Sequence, residues 1–161
     1  MEHPRHIVVV VAMVDDGEGR LLAVRHLRRG WELPQGRVEE GEGLAEALHR
    51  EVLEETGIEI VPGPLAVVYS KLTPPPAVIL CFRAARGGGR PQPSEETPEV
   101  AWVTPETARA TFSHPVNRDR LATLLGHSGG VLLKTYRTAP FRILQELSVP
   151  ESTPLSFSNS T

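Results

Sequence analysis

Residues 36–58 read GRVEEGEGLAEALHREVLEETGI, and the placement of charge within them decides the fold. Seven glutamates (39, 40, 42, 46, 51, 54 and 55) stand against two arginines (37 and 50), a local charge of −5, that is, two minus seven. Nothing between Leu44 and Thr56 breaks a helix, and Gly57 follows at the position helices favour for a left-handed exit. With Leu44 at zero and about 100° per residue, Leu48, Val52 and Ala45 fall within one sector and form the expected buried stripe. Glu55 lands inside that sector at about 20° and Glu51 borders it at about 340°, whereas Glu46 sits opposite at about 200°. A helix needing only solubility would place all its acids opposite the core. Glu51 and Glu55 are also an i, i+4 like-charge pair, which costs an isolated helix about 0.2–0.5 kcal/mol. Carboxylates crowded at a core boundary raise one another's pKa unless a cation compensates them. A hard divalent ion, Mg²⁺ or Mn²⁺, takes oxygen ligands and meets that need. Arginines from neighbouring elements meet it equally well, and helix geometry alone leaves the two readings even.

Working outward, Ile7–Val14 reads as a β-branched strand running into the turn Asp15-Asp16-Gly17, with Arg20–His26 as its hairpin partner. Leu27–Gly30 is a short basic loop, and Pro34 makes Trp31–Pro34 extended. After the helix, Ile58–Val61, Leu65–Lys71 and Ala77–Ala84 read as strands, Pro74–Pro76 as a stiff connector and Gly87–Pro98 as a loop. Glu99–Val103 is a short strand. Thr104 and Pro105 open a helix as cap and first-turn residue, and a second helix is expected from Val116 to about Leu125. Residues 128–147 fit no single element. The Ser/Thr/Pro-rich tail 148–161 is expected to be mobile or to pack on a neighbour. The order predicts one mixed α/β (α+β) domain over residues 1–147.

The whole chain bounds the rest. Its 161 residues suit one domain, and its net charge of −3 gives no sign of a DNA partner. Subtracting the −5 segment leaves about +2 elsewhere, a remainder that could meet phosphate. Cys81 is the single cysteine, which excludes an intrachain disulfide, makes a thiolate zinc cluster implausible and fits a reducing, cytoplasmic setting. The longest apolar run, Ile7–Val14, is too short for a membrane-crossing helix and has no signal-peptide cleavage site.

The opening segment resembles the Nudix box, Gly-x5-Glu-x7-Arg-Glu-U-x-Glu-Glu-x-Gly-U with U aliphatic. All nine placed residues match: Gly36, Glu42, Arg50, Glu51, Val52, Glu54, Glu55, Gly57 and Ile58. The resemblance implies a Nudix fold, a mixed β-sheet between α-helices. It further implies a Mg²⁺-dependent (or Mn²⁺-dependent) pyrophosphohydrolase that cleaves a phosphoanhydride in a nucleoside diphosphate linked to another group. Nucleoside triphosphates, nucleotide sugars and ADP-ribose are the substrate types. In family terms Glu51, Glu54 and Glu55 bind metal, and Glu51 also orients water or acts as base. Arg50 holds the glutamates, Glu42 is structural, and the carbonyl of Gln35 completes the metal shell.

Many relatives have Pro-Gly-Gly where this chain has Pro34-Gln35-Gly36, a form that resembles dinucleoside polyphosphate and RNA 5′-pyrophosphate hydrolases. Beyond the box, the resemblance suggests an additional acid from the loop before Trp102, and Glu96 is the choice, as base or ligand. Arg25 and Arg28 are candidates for substrate phosphates, ahead of Arg29. Tyr69 and Phe82 are candidates for stacking on a base. A nucleotide-sensing module without turnover is the alternative outside enzymes. A homodimer is left open, since dimers are common among relatives.

Overall fold

A computed structural model describes residues 2–151. In chain order the elements are β1 (Ile7–Asp15), β2 (Leu21–His26), β3 (Gly30–Glu32), β4 (Gln35–Arg37), α1 (Leu44–Thr56), β5 (Ile58–Lys71) and β6 (Ala77–Gly89). They are followed by β7 (Glu99–Val103), α2 (Pro105–Thr111), α3 (Pro115–Leu125), β8 (Val131–Arg137) and β9 (Arg142–Val149). The strands form one mixed sheet in the order β3-β2-β1-β6-β5-β8-β9, with β4 paired to β1 and β7 paired to β2. The β1–β6 and β5–β8 pairs are parallel. Alternating residues of β1 divide the core. Val10, Ala12 and Val14 pack with Ala47, Leu48 and Val52 of α1. Val11 and Met13 face the opposite layer, with Ala108 of α2 and Leu121 and Leu124 of α3. Each of the valine, leucine and methionine side chains contributes roughly 1.5–3 kcal/mol when fully buried. The result is the mixed α+β arrangement expected, a sheet between helices.

One edge of β1 is divided between two partners. Its end meets β2 at Asp15–Leu21, while Val9–Val11 pair with Arg37–Gln35 of β4. The three-residue β4 therefore lies directly beneath α1, and its outer edge is left for the helix.

Several expectations need correction. Leu44 and Ala45 are exposed, and the buried face of α1 is Ala47, Leu48, Val52, Glu55 and Thr56. A helical wheel gives direction around the axis but not how far along it the sheet reaches. β5 is one strand, carrying register shifts around Pro62–Leu65 instead of ending there. β6 runs on to Gly89, three residues into the expected loop. Gly89 has φ +80°, and a Cβ there would lie 2.2 Å from the Gly57 carbonyl oxygen, so only glycine lets the strand close against the helix exit. Residues 128–147 resolve as most of the β8–β9 hairpin. Of the tail, Ser148 and Val149 finish β9, and residues 152–161 lie outside the described residues. No described helix is long and apolar enough to cross a membrane.

Cys81 is completely buried between β1 and β5, and burial pushes its thiol up to about 12. A chromogenic disulfide reagent is expected to find no reactive thiol in the native protein and one equivalent in denaturant. Rapid reaction under native conditions would contradict this packing.

Candidate active site

The glutamates of α1 are organised by one guanidinium. Arg50 Nε and Nη2 donate to both oxygens of Glu42, at 2.5 and 2.9 Å, and Nη2 also donates to the carbonyl of Arg37 at 3.0 Å. Its Nη1 donates to Glu51 at 2.9 Å and to Glu54 at 3.2 Å. The fork thus joins the loop before α1, strand β4 and two turns of the helix. Arg50 holds the Glu42 carboxyl far below the usual range, at about 2. Glu42 carries no free charge toward the cleft.

Glu51 and Glu55 have the opposite environment. Burial raises Glu51, against the partial offset of Arg50. Burial raises Glu55 to about 8, only partly countered by a hydrogen bond from the Gln35 amide at 3.2 Å. Gly36 explains how Glu51 reaches this place. A Cβ on residue 36 would sit 1.9 Å from the Glu51 carboxyl carbon, so any side chain there would expel the glutamate.

The orientation of Gln35 follows from strand pairing. Ala12 N–H donates to the Pro34 carbonyl at 3.0 Å and Val38 N–H to the Val8 carbonyl at 2.9 Å. In an antiparallel pair the hydrogen-bonded positions alternate. Gln35, opposite Val11, therefore turns both its amide and its carbonyl away from β1, toward the α1 glutamates.

A second acidic segment is pinned nearby. The buried Thr97 hydroxyl donates to the Glu55 carbonyl at 2.9 Å, and the Gln92 amide donates to the Thr56 carbonyl at 2.7 Å. These bonds carry Glu96 to a cleft of about 400 Å³ that it lines with Glu51, Glu55, Gln35, Gly36, Arg37, Arg29, His26 and Val9. Glu54, with a side chain 62% exposed, stands at a neighbouring groove with Glu51, Glu55 and Glu96. Among the described residues no three His, Cys, Asp or Glu side chains converge on a single point. Glu51 and Glu54 are drawn to Arg50, while Glu55 turns to β4.

The cleft lining also includes basic residues, His26, Arg29 and Arg37, whereas the sequence pointed first to Arg25 and Arg28. Arg25 forms a fork to Glu99 across β2 and β7, at 2.7 and 3.2 Å, and Arg28 is exposed in the turn. Neither is among the residues that line the cleft. Arg29 does line it, held by two 2.8 Å bonds to the fully buried Glu32. The signal was the short spacing between Arg29 and Glu32, visible in sequence but common on any surface. Tyr69 and Phe82, the base-stacking candidates, are not among the lining residues either. Tyr69 is 1% exposed, donates to Asp119 at 2.8 Å and meets Tyr136 edge-on at 5.8 Å. Phe82 packs into the core layer under α1.

Residues 4–124, most of the chain, match the NUDIX domain. The chain belongs to the NUDIX domain family. It is 42% identical over 104 residues to a MutT-like protein of Streptomyces ambofaciens, a match covering 64% of this chain and 67% of that protein. It is 36% identical over 112 residues to the 8-oxo-dGDP phosphatase NUDT18 of Homo sapiens, covering 66% of this chain and 34% of that protein. The chain therefore spans only about a third of this human relative. A crystal structure of the MutT protein from Bacillus halodurans aligns with TM-score 0.74 and 25% identity, covering 91% of this chain and 99% of that one. This family and these relatives mark the NUDIX chain as a hydrolase.

A folded-state pKa above the unfolded one means that the folded protein holds a proton the unfolded chain has released. Glu55 therefore stabilises the fold less and less as pH rises from 4.5 to about 8. In chelator, Glu55→Gln is expected to raise the melting temperature at pH 8 and leave it nearly unchanged at pH 5. Equal shifts at both pH values would contradict the buried, raised carboxyl.

Proposed function

We propose that this hydrolase is a Mg²⁺-dependent pyrophosphohydrolase acting on a nucleoside diphosphate linked to another group, of the nucleoside triphosphate, nucleotide sugar or ADP-ribose type. The observation that carries the reading is the mixed lining of one cleft, which brings the carboxylates of Glu51, Glu55 and Glu96 together with Arg29, Arg37 and His26. A purely anion-binding cleft would not gather those acids, and a purely cation-binding one would not face them with two arginines.

The donor set suits a hard divalent ion. It consists of carboxylate oxygens and one carbonyl, and two of its acids, Glu51 and Glu55, are raised by burial and lack a full counter-charge. Glu51, Glu54, Glu55 and the Gln35 carbonyl are the residues that would hold it. Glu54 and Glu96 are exposed, and Glu54 is held only by one 3.2 Å bond from Arg50. Bound there, the cation supplies Lewis acidity, offsetting charge on phosphate oxygens and lowering the pKa of a nearby water.

The chain's own groups do the remainder. Arg29 is pre-set by Glu32, so the guanidinium N–H groups not bonded to Glu32 meet a phosphate oxygen without first losing side-chain freedom. Arg37 adds a second positive charge to the lining. Glu96, which lines the same cleft, takes the proton from the attacking water, with Glu51 as the other base within the cleft. Arg50 acts through the glutamates it holds. The buried free thiol of Cys81 supports a reducing, cytoplasmic setting.

The test is a panel of nucleoside triphosphates, nucleotide sugars, ADP-ribose, dinucleoside polyphosphates and RNA with a 5′-triphosphate, each with Mg²⁺ and product identification. Hydrolysis of a phosphoanhydride is expected, with Glu54→Gln lowering kcat by about a hundredfold or more. A shift in melting temperature without phosphate release on any substrate would favour a nucleotide sensor. An unchanged rate in Glu54→Gln would remove Glu54 from the metal-binding set.

Arg29→Lys keeps the charge and loses the fork. It is expected to raise KM for the best substrate several-fold, whereas Arg28→Ala leaves KM unchanged. The opposite ranking would return the phosphate contact to Arg28.

A further inference from the structure

Strand β4 is three residues long, pairs on one edge only and yet presents the Gln35 peptide group to the glutamates. Its side chains supply what its length does not. Gln35, opposite Val11, projects to the α3 side of the sheet. There its Oε1 accepts a hydrogen bond from Arg120 Nη1, and its Nε2 lies 3.5 Å from Asn117 Oδ1. Both α3 residues are buried, Asn117 at 4% exposure and Arg120 at 7%. Asn117 continues the chain of bonds, donating to Glu32 at 2.8 Å, the carboxylate that holds Arg29. One connected set of side chains therefore links two residues of the cleft lining, Gln35 and Arg29, through α3.

Arg120 is a costly way to fill that space. Its Nε is buried with no hydrogen-bond partner among the described residues, and its other bond, to the Tyr136 hydroxyl, is 3.5 Å long. An apolar side chain of similar length would fill the volume without stranding a donor. What it would not do is grip the carboxamide of Gln35.

We propose that Asn117 and Arg120 are positioning residues for the Gln35 peptide: from α3 they hold its side chain, and so fix the amide that bonds Glu55 and the carbonyl that faces the cleft. This rests on the reading of the cleft as a divalent-cation site. Gln35 is the relay, so removing Arg120 matters only while Gln35 is present.

A double-mutant cycle with Gln35→Met and Arg120→Met tests this in the full-length protein. Three quantities are measured: Mn²⁺ affinity from the free-ion paramagnetic resonance signal, Mg²⁺ half-saturation of hydrolysis, and melting temperature. Each single variant is expected to weaken Mn²⁺ binding about tenfold, the low end of effects from residues behind a metal ligand. The double variant is expected to be no weaker than the worse single one. Multiplying effects would overturn the relay, as would a lowered melting temperature with unchanged Mn²⁺ affinity. Should Arg120→Met not fold, Gln35→Asn, which keeps the amide but falls short of α3, is expected to show the same loss of affinity, and unchanged affinity there overturns the relay. Absence of Mn²⁺ binding by the unsubstituted protein would instead overturn the cation-site reading on which the relay depends.

Discussion

The guanidinium of Arg50 is the interaction on which the cleft depends. Five hydrogen bonds leave it, to Glu42 twice, to Glu51, to Glu54 and to the Arg37 carbonyl. Without it, Glu51 and Glu54 would stand side by side on α1 without their shared counter-charge. With it, Glu42 is fully ionised and absorbed into the loop, while Glu51 and Glu54 are tethered at the mouth of the cleft. A lysine could supply the charge but not the fork that spans loop, strand and helix at once.

Two backbone features then make the arrangement possible. The divided edge of β1 gives β4 a place under α1, and Gly36 removes the one Cβ that would exclude Glu51. The loop holding Glu96 closes from the other side because Thr97 is bonded to the last turn of the same helix. Acids from two distant segments thus share a cleft through contacts with one helix. Arg29 and Glu32 form the counterpart, a positive group fixed by a buried negative one. Stability is spent on keeping Glu55 buried, and the proposed cation recovers it at the point of use.

Much of this was legible in residues 36–58. The helix, its left-handed exit at Gly57 and the anomalous placement of Glu51 and Glu55 all follow from spacing, because a helix is a local structure with a fixed period. The identity of the basic side was not legible. Arg25, Arg28 and Arg29 look alike in sequence, and only the pairing of β2 with β7 takes Arg25 to Glu99 while the turn leaves Arg28 outside. Tyr69 was ambiguous for a related reason, since an aromatic in a strand faces core or cleft according to its layer, and the α3 residues Asp119 and Thr123 decide it. The β8–β9 hairpin was hidden by weak alternation, as β9 is exposed on nearly every residue and needs no hydrophobic pattern. The Gln35–Arg120 contact joins positions 85 residues apart, and nothing local announces it.

The central claim is that the α1 glutamates and the Gln35 carbonyl form one divalent-cation site in the cleft that Arg29 also lines. Anomalous diffraction from a crystal grown with Mn²⁺ tests it most directly. The account predicts a peak at about 2.0–2.4 Å from oxygens of Glu51, Glu55 or Glu54 and the Gln35 carbonyl, with Arg50 still on Glu42. A peak confined to exposed carboxylates such as Glu39 and Glu40, with the Gln35 carbonyl turned away, would contradict it.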